Sequence, residues 1–322
     1  MLTLFIAGLE GISRSVVSAP LEKLPRNTLW LDLLCPSAEE EQLVERLLSF
    51  EVPTRADMQE IEASSRLYSE KNALIMTMPV LTKSSTVSPE SSPVTFVLTN
   101  GCLVTVRYDD PAPFSCYIQN IHREPPSQVT PEHILLGLLE QIADRLADIL
   151  ERATCDLEKL SRDIFGSNDV PRGSVDFKNI LRNVGYVGDL STKAKDSLLN
   201  LNRLLPFLAA QTKGKRDIER RIGTLIADAV SINQHATFLS AKAGFLLDAT
   251  LGMVNIEQNN IIKIFSIAAV VFLPPTLIAS IYGMNFHFMP ELEWMGGYPL
   301  AVMLMLISAI LPVWLFHRKK WL

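Results

Sequence analysis

The chain has 322 residues, 48% of them hydrophobic and 20% charged, and its mean hydropathy of +0.20 is high for a soluble protein of this size. This composition excludes a disordered, collagen-like or small disulfide-rich protein. The net charge of −5 gives no overall positive field for nucleic-acid binding, and the four scattered cysteines contain no Cys-x-x-Cys pair that would indicate a zinc ribbon.

Residues 1–125 are predicted to form a cytoplasmic α/β domain, because short apolar runs alternate there with turn residues. The first residues indicate a strand and not a signal peptide, since their apolar run is short and no basic residues precede it. Asn100-Gly101 indicates a tight hairpin between the last two strands. The predicted elements are strands at 29–34, 73–81, 94–99 and 102–107, a helix at 38–49 and a Ser- and Pro-rich loop at 83–93.

Residues 126–215 are predicted to form a cytoplasmic helical segment. Apolar residues recur every three or four positions from Pro131 to Phe165, and a second helical stretch covers Val175 to Gln211. No proline follows until the apolar segment near the C-terminus, so residues 216–281 are predicted to form a stalk helix that continues into a first transmembrane helix. From Asp217 onwards such a helix would be about 97 Å long.

Two C-terminal segments are long and apolar enough to cross a membrane. Ile264–Ile281 has 18 residues and Tyr298–Phe316 has 19, all without charge, which corresponds to about 27–28 Å of helix against a hydrocarbon core of about 30 Å. The loop 282–297 contains no Lys or Arg, whereas the tail 317–322 is basic. This asymmetry predicts a multi-pass protein of the inner (cytoplasmic) membrane with both termini in the cytoplasm and an external loop.

One face of the predicted long helix carries polar and small residues through the first span. Steps of four and three residues place ten positions there, seven of them polar or glycine: Asp248, Gly252, Asn255, Asn259, Ile262, Ser266, Ala269, Leu273, Thr276 and Ser280. Tight packing of helices through small residues would explain such a stripe, and so would a water-lined conduit. Two helices cannot enclose a pore, so a conduit requires several copies around a common axis.

The residues after the first span resemble a family signature. Tyr-Gly-Met-Asn-Phe at 282–286 follows the span directly, and Met-Pro-Glu-Leu-Glu-Trp follows at 289–294. This order resembles the CorA family of magnesium transport proteins, most specifically over about 247–322. The resemblance implies an α+β cytoplasmic domain, a long stalk helix and two transmembrane helices, assembled as a funnel-shaped homopentamer whose first span lines the pore.

The resemblance also implies which residues meet the ion outside the membrane. Gly283, Met284 and Asn285 would form the selectivity entrance, where amide and backbone carbonyl oxygens accept hydrogen bonds from the tightly held waters of Mg²⁺. Glu291 and Glu293 would raise the cation concentration at the external mouth.

Inside the pore, the nine stripe residues other than Gly252 would line the path, with Ile262 and Leu273 as hydrophobic constrictions. Family members sense cytosolic Mg²⁺ through acidic residues between subunits, and Asp217 and Asp228 are candidates for that regulatory metal site. Mg²⁺ would therefore be both the transported and the regulatory ion. The resemblance implies no further cofactor, and a transporter instead of an enzyme.

Other functions remain open from the sequence. The zinc-carrying ZntB branch shares the architecture, although Met-Pro-Glu-Leu favours magnesium, with Co²⁺ and Ni²⁺ as possible further cargo. A membrane-anchored scaffold or sensor would need only one plain span and leaves the polar stripe unexplained. The expected partners are further copies of the chain, the lipid bilayer and divalent cations. Nucleic acid is not expected, because no aromatic residues interleave with the basic run at 213–221.

Overall fold

The computed structural model separates the chain into two units, Met1–Asp248 and Ala249–Leu322. The residues that it describes are 1–8, 11–17, 21–70, 73–84, 86, 88–123, 129–166, 176–285, 287, 289–290 and 293–319.

Among the described residues, the first unit contains a seven-stranded sheet in the order β2-β1-β3-β7-β6-β5-β4. Neighbouring strands are antiparallel except β3 and β7, which pair in parallel at the centre. The strands are β1 Leu2–Gly8, β2 Gly11–Val16, β3 Thr28–Leu34, β4 Leu67–Glu70, β5 Ala73–Thr82, β6 Glu90–Thr99 and β7 Leu103–Arg107. The predicted strands at 29–34, 73–81 and 102–107 are confirmed to within one residue at each end.

Helices cover both faces of the sheet. The helices of the chain are α1 Ala38–Leu48, α2 Arg55–Met58, α3 Ala63–Arg66, α4 Ala112–Arg123, α5 Pro131–Phe165, α6 Phe177–Gln211, α7 Arg216–Tyr282 and α8 Gly297–Arg318. Leu43 and Val44 of α1 pack with Leu31 and Leu33 on one face. On the other face Trp30 stacks on Phe5 and contacts α4, and α5 and α6 also lie against the strands.

The predicted loop at 83–93 is wrong over its last four residues, because β6 begins at Glu90. Ser91, Ser92 and Pro93 are typical of loops, but they pair in register with the end of β5, where Pro93 lies opposite Pro79. An antiparallel ladder alternates between hydrogen-bonded and non-hydrogen-bonded pairs, so two prolines can face each other at a pair that needs no N–H donor. Long-range pairing therefore overrides the local turn composition here.

A buried ion pair joins the two central strands. Arg107 on β7 donates to Asp32 on β3 through Nη2 at 2.8 Å and Nε at 3.0 Å, and the two side chains are 5% and 3% exposed. The hydroxyl of Thr105 donates to the same carboxylate at 2.7 Å and accepts from the indole N–H of Trp30 at 2.9 Å. Asp32 and Arg107 thus have the hydrogen-bond partners that a buried pair needs.

Replacing Asp32 with alanine is expected to lower the free energy of unfolding by up to about 3–5 kcal/mol, because Nε and Nη2 of buried Arg107 lose their acceptors. Among the described residues, Arg107 then keeps only Asp110, which is largely exposed, as an ion-pair partner. Urea unfolding of the full chain in detergent, followed by tryptophan fluorescence, measures this. The matched control is Asp156→Ala, which removes an exposed partner 3.5 Å from Lys159 and is expected to cost less than about 1 kcal/mol. Equal losses in the two variants would contradict the assigned role of the buried pair.

The second unit contains the end of α7 and α8. The single long helix predicted from about Asp217 to Ile281 is confirmed, since α7 has 67 residues from Arg216 to Tyr282. Among the described residues, α7 and α8 are the two helices that are long and apolar enough to cross a membrane, by length and composition. Prolines lie inside both, at Pro274, Pro275 and Pro312.

Candidate ion pathway

Within the second unit, exposure divides α7 into two opposite faces. Residues that share a helix face recur every three or four positions, at about 100° per residue. The partly buried positions fall on one such face and are Met253, Val254, Glu257, Asn260, Ile267, Ala268, Val271, Pro274, Pro275, Ile278 and Tyr282. Every predicted pore-lining position of this unit, from Asn255 to Ser280, is exposed and lies on the opposite face.

The exposed face carries both apolar and polar side chains. Ile262 is 53% exposed and Leu273 is 66% exposed, so these two large apolar side chains lack cover on the same face as Asn255 and Asn259. The hydroxyl of Thr276 donates to the carbonyl oxygen of Phe272 at 2.7 Å. Because its proton is used within the helix, this hydroxyl faces a hydrated ion only as an acceptor. Water molecules on a cation are donors, so the polarity of Thr276 suits them.

The predicted entrance lies immediately after α7. Backbone N–H groups close the helix there, with Gly283 donating to Ala279 at 2.9 Å and Met284 donating to Ile281 at 3.3 Å. A Cβ atom at position 283 would lie 3.1 Å from the carbonyl oxygen of Ala279, which explains a glycine at this turn. Gly283, Met284 and Asn285 are all exposed. Since backbone groups close the helix, the amide of Asn285 is not needed as a cap.

Of the two residues predicted at the external mouth, the structure describes Glu293. Glu293 is exposed just before α8, beside Trp294, which is 60% exposed. Glu291 lies outside the described residues.

The predicted stalk and regulatory residues lie in the first unit, where Asp248, Asp217 and Asp228 are all exposed. Asp217 already has side-chain contacts, because Arg220 donates to it at 3.0 Å and Nε2 of His133 lies 3.5 Å away. Asp228 instead lines a groove of about 500 Å³ between α5 and α7. The two candidates are therefore not brought together.

The groove brings Asp228 beside Asp144 on α5, a carboxylate that the sequence analysis did not identify. Glu140 on α5 is held by Arg221 on α7 in a two-pronged pair at 2.7 and 3.1 Å. Partial burial, and then the negative charges of Glu140, Asp148 and Asp228, raise the pKa of Asp144 above its ordinary value. The four-residue spacing of 140, 144 and 148 on one helix is the signal that could have revealed it. In the described part of the chain, no group of three or more His, Cys, Asp or Glu side chains could hold a metal ion.

Replacing Asp144 with asparagine is expected to stabilise the protein at neutral pH. A carboxyl whose pKa is raised on folding stabilises the folded state below its unfolded pKa, and that contribution is lost as pH rises through the folded pKa. The melting temperature of the wild type should therefore fall relative to Asp144→Asn as pH rises above about 3.8, the ordinary value. Melting curves from pH 4 to 7 test this, with exposed Glu158→Gln on the same helix as control. A pH-independent difference between wild type and Asp144→Asn would refute the assigned repulsion.

Comparison with known proteins identifies the family and the fold of the chain. A family model described as a CorA-like Mg²⁺ transporter protein matches residues 26–318. The chain is 35% identical over 296 residues to the magnesium transport protein CorA of Pasteurella multocida, which covers 92% of each chain. Its fold is similar to the complete structure of the CorA magnesium transporter from Methanocaldococcus jannaschii, with a TM-score of 0.75 at 18% identity over 100% of this chain and 99% of that one. The ZntB cytoplasmic domain from Vibrio parahaemolyticus is also similar, with a TM-score of 0.59 at 10% identity over 79% and 97% of the two chains.

Proposed function

The chain belongs to the CorA-like Mg²⁺ transporter family, and on that premise we propose how it transports magnesium. The exposed face of α7 lines the pore, and hydrated Mg²⁺ passes along it down its electrochemical gradient. The observation that carries this proposal is the position of the polar stripe. It lies opposite the partly buried face of α7 and ends directly at Gly283, Met284 and Asn285.

A pore of this kind requires self-association. One chain presents the stripe on a single face of one helix, and the two membrane-length helices of one chain cannot enclose a pore. Several copies around one axis would place Ile262 and Leu273 in rings, and the family resemblance implies five copies. The two spans would lie in the inner membrane with both termini in the cytoplasm, since the loop 282–297 contains no basic residue.

The side chains on the path suit a hydrated, hard cation. Mg²⁺ dehydrates reluctantly, so acceptors for its waters serve it better than a cage of carboxylates. Asn285, Thr276 and Ser266 offer such oxygens, and Glu293 with Glu291 would concentrate cations at the mouth. Co²⁺ and Ni²⁺ could pass by the same route. Magnesium is favoured over zinc because the ZntB likeness covers a cytoplasmic domain and the fold alone.

Ion flux into proteoliposomes tests the cargo. Vesicles that contain the purified protein and an indicator dye should take up Mg²⁺ at least tenfold faster than Zn²⁺ under the same gradient. Empty vesicles supply the leak rate. Faster uptake of Zn²⁺ would instead support the zinc alternative, and no flux of either ion would support the membrane-anchored scaffold or sensor.

For regulation, we propose that cytosolic Mg²⁺ binds Asp228 together with acidic residues of another copy and favours the closed pore. Asp228 faces the repelled carboxylate of Asp144, so a cation there would relieve like-charge repulsion. Asp217 is less available, since Arg220 and His133 already contact it. As Mg²⁺ binds the closed state better than the open one, falling cytosolic Mg²⁺ would open the pore.

Leu273→Ser is expected to raise basal Mg²⁺ flux severalfold, because a ring of hydroxyls wets more easily than a ring of leucines in a narrow pore. Proteoliposome flux with Mg²⁺ on both sides measures this. The control is Val271→Ser, a similar change on the partly buried face. Unchanged flux in an assembled Leu273→Ser oligomer would remove Leu273 from the gate.

A further inference from the structure

The far ends of the two spans carry basic residues at one common level. Lys263 lies 19 residues before Tyr282, and Arg318 lies 20 residues after Tyr298. At 1.5 Å per residue, both side chains are about 29–30 Å from the loop that joins the helices. They therefore mark one boundary of the hydrocarbon layer.

The last turn of α8 presents its basic residues beside an aromatic ring. The guanidinium of Arg318 lies over the ring of Trp314, 5.3 Å from its centroid. Trp314 is 55% exposed, and His317, Arg318 and Lys319 are exposed as well. Trp314 lies four residues before Arg318, about 6 Å along the helix, so it is just inside the interface where tryptophan is enriched. The ring holds the guanidinium against the apolar boundary while its N–H groups remain directed outwards.

The opposite boundary has aromatic residues without basic ones. Trp294 and Tyr298 are 60% and 81% exposed there, and the loop 282–297 contains no Lys or Arg. Within the described residues, no carboxylate forms an ion pair with Lys263, Arg318 or Lys319. Positive charge with room for a counter-ion is thus confined to one boundary.

We propose that Arg318 at the end of α8 and the adjacent Lys319, with Arg318 steadied by Trp314, bind the phosphate of an anionic phospholipid at the membrane boundary that Lys263 of α7 also marks. A planar guanidinium matches phosphate with two parallel hydrogen bonds, and nearby basic residues each add attraction to an anionic membrane surface. Trp314 supplies contact with the acyl chains below the headgroup, so the site recognises a lipid and not a free anion. This inference rests on the proposed membrane spans, but it does not depend on the transported ion.

Native mass spectrometry of the full-length protein in detergent tests the site. The protein is incubated with dioleoylphosphatidylglycerol or dioleoylphosphatidylcholine, and bound lipid is counted. The anionic lipid should bind at least fivefold more often, and Arg318→Gln should reduce it to the level of the zwitterionic lipid. Arg318→Lys should retain part of the preference, and Trp314→Leu should weaken both lipids.

Lys178→Gln, an exposed change in the first unit, is the matched control and should bind both lipids as the wild type does. Equal binding of the two lipids by the wild type, or an unchanged preference in Arg318→Gln, would overturn the proposal. Displacement of the anionic lipid by millimolar inorganic phosphate would show a site for phosphate alone and would also overturn it. Lipid counting needs no ion flux, so a failure here is distinguishable from a failure of the proposed transport.

Discussion

Asn285→Ala is expected to reduce Mg²⁺ uptake to the leak rate while the protein still assembles. The substitution removes an amide oxygen that accepts hydrogen bonds from the waters of Mg²⁺ at the entrance. It removes no packing, because Asn285 is exposed and the end of α7 is closed by the N–H groups of Gly283 and Met284. Proteoliposome flux measures the effect, and cross-linking of the purified protein checks the assembly.

His287→Ala is the matched control for this change. His287 is exposed in the same loop, and no role on the ion path is assigned to it, so its flux should match that of the wild type. Flux at the wild-type rate in an assembled Asn285→Ala oligomer would rule out the entrance role. A loss of flux in both variants would point to a general requirement for the loop.

Uptake is expected to follow the membrane potential without any other source of energy. Each charge that crosses 100 mV gains about 2.3 kcal/mol, so Mg²⁺ gains about 4.6 kcal/mol. At about 1.4 kcal/mol per factor of ten, this favours accumulation by more than a thousandfold. A potassium diffusion potential of 100 mV, negative inside, should therefore drive Mg²⁺ into vesicles against a tenfold outward gradient.

The same vesicles without a potential should lose Mg²⁺ down that gradient. Accumulation at zero potential would contradict a passive channel and require a coupled ion or a nucleotide. The sequence contains no Gly-x-x-x-x-Gly-Lys-Ser/Thr motif for binding nucleotide phosphates, so it gives no support to ATP-driven pumping.

The long helices were the most predictable part of the fold. The apolar periodicity from Pro131 to Phe165 matches the bounds of α5, and the uninterrupted stretch to Ile281 anticipated α7. Long helices are predictable because the same hydrophobic pattern repeats over many turns. The α+β domain, the long helix and the two membrane-length helices are confirmed by the structure and by its likeness to the CorA fold.

Short elements were less predictable. β2 and β4 have few buried positions, so their hydrophobic alternation is weak, and only pairing with β1 and β5 defines them. α2 depends on a local capping box, in which Thr54 and Asp57 exchange hydrogen bonds over one turn. One turn of helix is too short for periodicity to reveal.

The parts of the candidate site also differ in how far the sequence could predict them. The stripe and Gly-Met-Asn follow from spacing and motif, because both lie within one continuous segment of the chain. The groove of Asp144 and Asp228 joins residues 84 positions apart on two helices. Only the packing of α5 against α7 brings them together. The sequence could therefore show the row of carboxylates at 140, 144 and 148, but not that Asp228 faces it.

The central claim is that the stripe face of α7 is the ion path, and cysteine accessibility tests it most directly. Single cysteines are placed at Ser266, Thr276 and Ser280 on the stripe and at Val271 and Ile278 on the partly buried face. The four native cysteines, all in the first unit, are first replaced by serine or alanine. A charged, water-soluble thiol reagent should modify the stripe positions and block Mg²⁺ flux, and high Mg²⁺ should slow the reaction. The opposite face should stay unmodified. Equal reaction on both faces, or stripe modification without loss of flux, would contradict the account.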